Sequence, residues 1–166
     1  MREIMTSRGL LLNVRRYEPR DALQAAMLFE QSVRLGAVSY DADQRAIWAS
    51  AAGSRELWQD MLPALYTLVA EDGGGMAGFA ALDEAECFVD MIYVRPDVMG
   101  QGVAHALYGL IEQHARETGI VELGARASRH GAPFFTRQGW RIVRESSVCR
   151  EGVNLPCFEM RKSLEG

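Results

Sequence analysis

Tyr93-Val94-Arg95-Pro96-Asp97-Val98-Met99-Gly100-Gln101-Gly102-Val103-Ala104-His105-Ala106-Leu107 decides how the rest of this chain is read. Phe88 to Val94 is apolar except for Asp90, and Pro96 ends it, because proline cannot continue a central strand. Beyond the glycines, Val103, Leu107, Leu110, Ile111 and Ala115 recur at helical spacing until Thr118-Gly119, where a glycine suits a left-handed cap. The stretch therefore reads as strand, turn, glycine loop and helix. Gly100 and Gly102 can take positive φ and let another molecule approach the main chain. The helix's first N–H groups and its dipole open onto the same loop, which makes a seat for a phosphate or pyrophosphate. A plain connecting turn would use the same residues.

The kind of phosphate ligand is narrowed by what is missing. A dinucleotide fingerprint needs a third glycine where His105 stands, and Glu122 opens the next strand instead of closing it. A Walker loop needs a lysine beside its last glycine, and Lys162 is the sole lysine of the chain. Both are disfavoured.

Val94-Arg95-Pro96-Asp97 with Met99-Gly100-Gln101-Gly102-Val103-Ala104 resembles the acyl-CoA loop of the GNAT superfamily, the Gcn5-related N-acetyltransferases. Ser128 to Trp140 resembles that family's second signature, Asn-x-x-Ala-x-x-x-Tyr-x-x-x-Gly-Phe. The two blocks stand in the family's order and spacing, and the nearest likeness is to its YafP-like bacterial subgroup. The resemblance implies an α/β fold, with a mixed, mostly antiparallel sheet of about six or seven strands flanked by about four helices. It also implies acetyl-CoA as acyl donor, an amine acceptor of unknown identity and no metal. Residues holding the donor would be Ile92, Tyr93 and Val94 on the strand, Met99 to Ala104 in the loop (Met99, Gly100, Gln101, Gly102, Val103, Ala104), and Ser128 and Phe135 in the second signature. Three positions depart from the pattern. Met99 stands for Arg or Gln, Ser128 for Asn, and Phe135 for the tyrosine that often protonates the departing thiolate. Met99 and Phe135 together favour an alternative, a catalytically weakened acyl-CoA-binding sensor or partner-binding module. A homodimer through the C-terminal strands is expected by resemblance alone.

At 166 residues and 48% hydrophobic content, the chain suits one domain over 1–166, with 1–8 and 163–166 expected as loose termini. Net charge is −4, and residues 1–120 carry 10 basic against 17 acidic groups. That balance argues against nucleic acid as a general partner. Residues 121–166, with 8 basic against 5 acidic, suit the neighbourhood of an anionic cofactor or a solvated face. Cys87, Cys149 and Cys157 lack metal-ligand spacing and suit a reducing cytoplasm, although a Cys149–Cys157 link across neighbouring strands stays open. The apolar run Gly9 to Leu12 is too short for a membrane span or signal segment, so a cytoplasmic protein without membrane attachment is expected.

Around the central stretch, Leu10 to Arg16 reads as an edge strand and Asp21 as the cap of a helix running to Gly36. Asp41 to Ala49 starts a second helix and Ser54 to Trp58 a short third. Leu65–Glu71 and Met76–Leu82 read as a hairpin, Val121–Ala127 as a strand, Ala132–Gln138 as a short helix, and Trp140–Lys162 as a closing hairpin. Tyr40, Trp48 and Trp58 are candidates for a pocket wall or for ordinary core.

An acceptor amine of ordinary pKa, about 10.4, costs about 4.6 kcal/mol to deprotonate at pH 7, so a general base helps. Asp90 is the candidate. Strict alternation puts it on the face of Phe88, Ile92 and Val94, where its pKa would be raised. A structural pairing with an arginine or a backbone donor is the competing reading. His130 is a second candidate base, Tyr40 and Tyr93 are candidate acids, and Cys87 is not needed as a carrier.

Overall fold

The sheet's centre is the strand Gly75–Asp83, buried from Met76 to Leu82. Its side chains alternate between two cores: Ala77, Ala80 and Leu82 face one, and Met76, Phe79 and Ala81 the other. A strand buried on both faces needs this continuous apolar run. The computed structural model describes all residues, Met1–Gly166. In chain order its strands are β1 (Arg2–Met5), β2 (Leu11–Arg16), β3 (Tyr66–Asp72), β4 (Gly75–Asp83), β5 (Phe88–Val94), β6 (Glu122–Ser128), β7 (Arg141–Arg150) and β8 (Val153–Ser163). Its helices are α1 (Ala22–Gly36), α2 (Ala42–Ala49), a π-helical segment Glu56–Met61 running into the single turn α3 (Leu62–Ala64), α4 (Val103–Glu117) and α5 (Ala132–Arg137). No helix is long and apolar enough to cross a membrane.

One eight-stranded sheet runs β1-β2-β3-β4-β5-β6-β8-β7, two strands beyond the lower expectation and one beyond the upper. Every pairing is antiparallel except β5 with β6. Helices α4 and α5 cover one face through Val103, Leu107, Ile111, Ala132 and Phe135. The other face is covered by α1 and the segment after α2, through Leu28, Phe29, Val33, Trp58 and Leu62.

Five readings of the sequence differ from the structure. Residues 1–8 are not a loose end: Arg2–Met5 pairs with β2, so Leu11–Arg16 is not the edge. At the other end, Ser163 pairs with Glu122 and Leu164 is buried. Asp21 does not cap α1 with its side chain; its carboxylate accepts from both terminal nitrogens of Arg15 at 2.8 Å and from the Glu18 N–H at 2.8 Å. Burial alone would raise Asp21, but Arg15 and the Glu18 N–H outweigh it and hold the carboxyl below its usual range. Finally, the β7–β8 register sets Cys149 opposite Asn154 and Cys157 opposite Ser146, so the two cysteines do not meet and all three are free thiols.

Gly78 is where the sheet admits α4. A Cβ there would lie 2.8 Å from the Tyr93 carbonyl oxygen, 3.0 Å from Val103 Cγ1 and 3.2 Å from Leu107 Cδ1. Backbone cannot yield as a flexible side chain can. Gly78→Ala is therefore expected to cost about 1–3 kcal/mol of stability, the range for overpacking a filled core, measured by denaturant unfolding.

Candidate active site

Strands β5 and β6 pair only at Phe88–Gly124 and Val89–Ala125, then part. Between them lies a cleft of about 750 Å³, floored by β5 and closed on one side by the start of α4 and on the other by α5. Arg95 N–H bonds the Ala77 carbonyl at 2.8 Å, so alternation points the main chain of Tyr93 and Met91 at β4. The N–H and C=O groups of Ile92 and Val94 then turn into the gap, an open strand edge like those that take an extended ligand as an added strand.

At the mouth, Pro96–Val98 forms one 3₁₀ turn, and the chain passes through Gly100 at φ 77° and Gly102 at φ 90° into α4. No intrachain backbone bond uses the N–H of Gly100, Gly102, Val103, Ala104 or His105. No side chain caps the helix either. Five orphan donors at the positive end of a four-turn helix are the physical requirement for holding a pyrophosphate. Arg95 is not a ligand: it is locked to Asp72 at 2.7 Å and to Asp97 at 2.5 Å, which ties the β3–β4 turn to the loop.

The cleft is lined by Asp90, Ile92, Tyr93, Val94, Met99, Gly100, Gly102, Val103, Ala104, Ser128 and Phe135. Gln101 is not among them, and its N–H bonds Val98 O. Met99 folds back over α1, with its Cε 2.8 Å from where a Cβ on Gly36 would stand. Ser128 Oγ accepts from Gly131 N–H at 2.9 Å and so holds the turn into α5. Phe135 is buried against Trp140 and Tyr108, with ring centroids 4.9 and 6.5 Å away.

Of the three aromatic wall candidates, Trp48 alone lines the cleft. Trp58 is core, its Nε1 donating to Ala51 O. Tyr40 is buried, donating its hydroxyl to Pro156 O and accepting from the Arg129 N–H. Tyr93, the phenol that does line the cleft, is pushed up strongly by burial. His130 also lines it.

Asp90 is placed differently from strict alternation. Between Val89 and Met91, which pair with Leu82 and Ala81, Asp90 is the extra residue of a β-bulge. Val89, Ile92 and Val94 pack toward α4, whereas Met91 and Tyr93 pack toward α1. The alternation along β5 thus breaks at Asp90, which lines the cleft beside Ile92 and Tyr93. Its carboxyl meets solvent in the cleft, yet the protein atoms around it raise its pKa, and Asp83 adds to this. It is the one carboxylate lining the cleft.

Arg126, His105 and Arg137 also line the cleft and were not singled out in the sequence. Arg126 had a signal comparable to that of Asp90: a lone charge in the apolar run Leu123 to Ala127.

The family model described as an acetyltransferase (GNAT) domain matches residues 36–164. The chain belongs to the GNAT acetyltransferase family. Its GNAT relatives include the uncharacterized N-acetyltransferase YafP of Escherichia coli, 31% identical over 90% of this chain and 95% of that protein. A GCN5-related N-acetyltransferase of Rhodopseudomonas palustris superposes with a TM-score of 0.88 at 31% identity, covering 99% of both chains. The PaiA N-acetyltransferase of Thermoplasma acidophilum, solved in complex with coenzyme A, shares the GNAT fold at a TM-score of 0.73 and 16% identity, over 92% of this chain and 98% of that one.

Proposed function

We infer that this GNAT protein is an N-acetyltransferase that moves an acetyl group from acetyl-CoA to a primary amine of a small molecule or peptide, by direct attack in a ternary complex. The observation that carries this reading is one cleft with two features: five orphan N–H groups at the start of α4 and the unpaired edge of β5 beyond its parting from β6. Gly100, Gly102, Val103, Ala104 and His105 fit a pyrophosphate, and Ile92 and Val94 fit the amides of a pantetheine arm. Acetyl-CoA supplies, when bound, an activated thioester. The T. acidophilum relative, solved with coenzyme A, supports the choice of donor.

This chain's residues then have three tasks. The main-chain donors of β5 align the donor and polarise its carbonyl. Asp90, its pKa raised, removes the proton that an ammonium carries at neutral pH, directly or through water. A proton is finally returned to the thiolate. Tyr93 is poorly matched to that last task, because burial raises its phenol far above the pKa of a thiol. With no matched acid in the cleft, the thiolate takes its proton from bulk solvent. Phe135→Tyr is accordingly expected to raise kcat, toward the roughly 10²-fold lower limit of positioned acid catalysis, with KM for acetyl-CoA unchanged. Equal or lower kcat counts against a missing acid.

The experiment is thiol release from acetyl-CoA against a panel of primary amines. Amine-dependent release supports the enzyme. Tight donor binding without turnover of any amine supports the sensor alternative, which Met99 turned onto Gly36 and the apolar Phe135 favour.

A further inference from the structure

Asp90 and Arg126 stand at the apex of the cleft, each the lone charge of its strand's apolar stretch. The parallel ladder pairs Phe88 with Gly124 and Val89 with Ala125, then ends. The next residue on each strand is Asp90 on β5 and Arg126 on β6. They are the first in-register pair past the point where the strands separate. Val89 and Ala125 pack into the core under α4, as does Ala127. Arg126, between two such residues, therefore faces the opposite side, toward α1 and α2, where Met91, Tyr93 and Trp48 stand.

Opposite charges in register on neighbouring strands ordinarily close into an ion pair. These do not: neither residue takes part in any ion pair of the chain. The residue beside Arg126 on β8, Glu159, is held by Arg144 at 2.7 Å. Asp83, near Asp90, has the same sign and cannot neutralise it. One free carboxylate and one free guanidinium thus face a common gap with an apolar, partly aromatic wall.

Resting on the acetyl-transfer reading above, we propose that the acceptor is a zwitterionic amino acid with an apolar side chain. Its ammonium lies at Asp90, its carboxylate at Arg126, and its side chain against Trp48 and Tyr93. A guanidinium fork matches a carboxylate with two parallel N–H···O bonds, and an amine lacking that group leaves Arg126 without its partner in the cleft. In the reaction Asp90 takes a proton from the ammonium. The freed nitrogen bonds the acyl carbon as the carbon–sulfur bond breaks; water protonates the thiolate, the hydroxide so formed takes the nitrogen's second proton, and Asp90 returns its own proton to solvent.

The test compares thiol release for matched pairs, apolar amino acids and their decarboxylated amines (phenylalanine with phenethylamine, leucine with isoamylamine), in wild type and Arg126→Gln. The amino acid is expected to exceed its amine in kcat/KM by about tenfold to a hundredfold, the worth of a charge-assisted pair. Arg126→Gln removes this preference by raising KM for the amino acid, with KM for the amine and for acetyl-CoA unchanged. Arg126→Lys restores part of it. Wild-type turnover of the amines equal to or above that of the amino acids overturns the proposal and leaves acetyl transfer standing, as does an Arg126→Gln effect confined to KM for acetyl-CoA. Absence of thiol release with every primary amine tested overturns acetyl transfer itself, and this proposal with it.

Discussion

Asp90→Asn is expected to lower turnover by about 10²–10⁴-fold while leaving acetyl-CoA affinity nearly unchanged. Asparagine keeps the size of the side chain and removes its ability to accept a proton. In the wild type, surrounding protein atoms and then Asp83 raise the Asp90 pKa above the ordinary 3.8. The base form therefore disappears as pH falls through that raised value, so the wild-type rate should rise with pH through an apparent pKa above the usual aspartate range. That limb should be absent in Asp90→Asn. The stability sign is the opposite of that for a salt-bridged carboxylate. A pKa raised in the folded state gives a contribution that is full at low pH and declines as pH rises through the folded pKa. Removing the charge should consequently leave the melting temperature at neutral pH equal or slightly higher. A mutant that unfolds, or that keeps the wild-type rate, makes Asp90 a structural residue.

Gly100→Val should abolish donor binding with little effect on the fold. Gly100 sits at φ 77°, where a β-branched residue is a genuine outlier, so the loop must rearrange and its neighbouring N–H groups must turn away. Losing two hydrogen bonds to a charged pyrophosphate weakens binding by at least about a hundredfold, since each contributes about 1.5–3 kcal/mol. A Cβ at Gly100 meets no atom within 4 Å, so core packing is untouched. Gly102 is a less clean test. Its Cβ would come to 3.0 Å from Thr6 Cβ, so a substitution there also displaces the N-terminal segment that packs beside the loop. The constraint on Gly102 is thus positive φ and a neighbour within the chain, in addition to room for a ligand.

The strand–loop–helix unit was legible because its signals are local. Pro96 ends β5's run, two glycines permit positive φ, and the apolar spacing of α4 is regular from Val103 to Ala115. The second signature was legible for the same reason, and its Phe135 and Ser128 line the cleft. What escaped the sequence depends on pairing. Arg2–Met5 has two charged residues followed by Ile4 and Met5, and it becomes a strand through hydrogen bonds to β2 that no periodicity announces. The bulge at Asp90 depends on the β4 register, and it breaks the alternation that a period of two assigns. Arg126 gains meaning only when β6 is laid beside β5. Tyr40 and Trp58 look alike on paper to Trp48, and only the tertiary packing sends two of them into the interior.

The central claim is that the loop before α4 and the parted edge of β5 form a seat for acetyl-CoA. Isothermal titration of the wild-type protein with acetyl-CoA, and separately with coenzyme A, tests it most directly. Saturable one-to-one binding of both at micromolar concentration, lost in Gly100→Val and kept in Asp90→Asn, is the predicted result. No heat from either ligand at high micromolar concentration, or equal affinity in the Gly100→Val variant, would contradict the account.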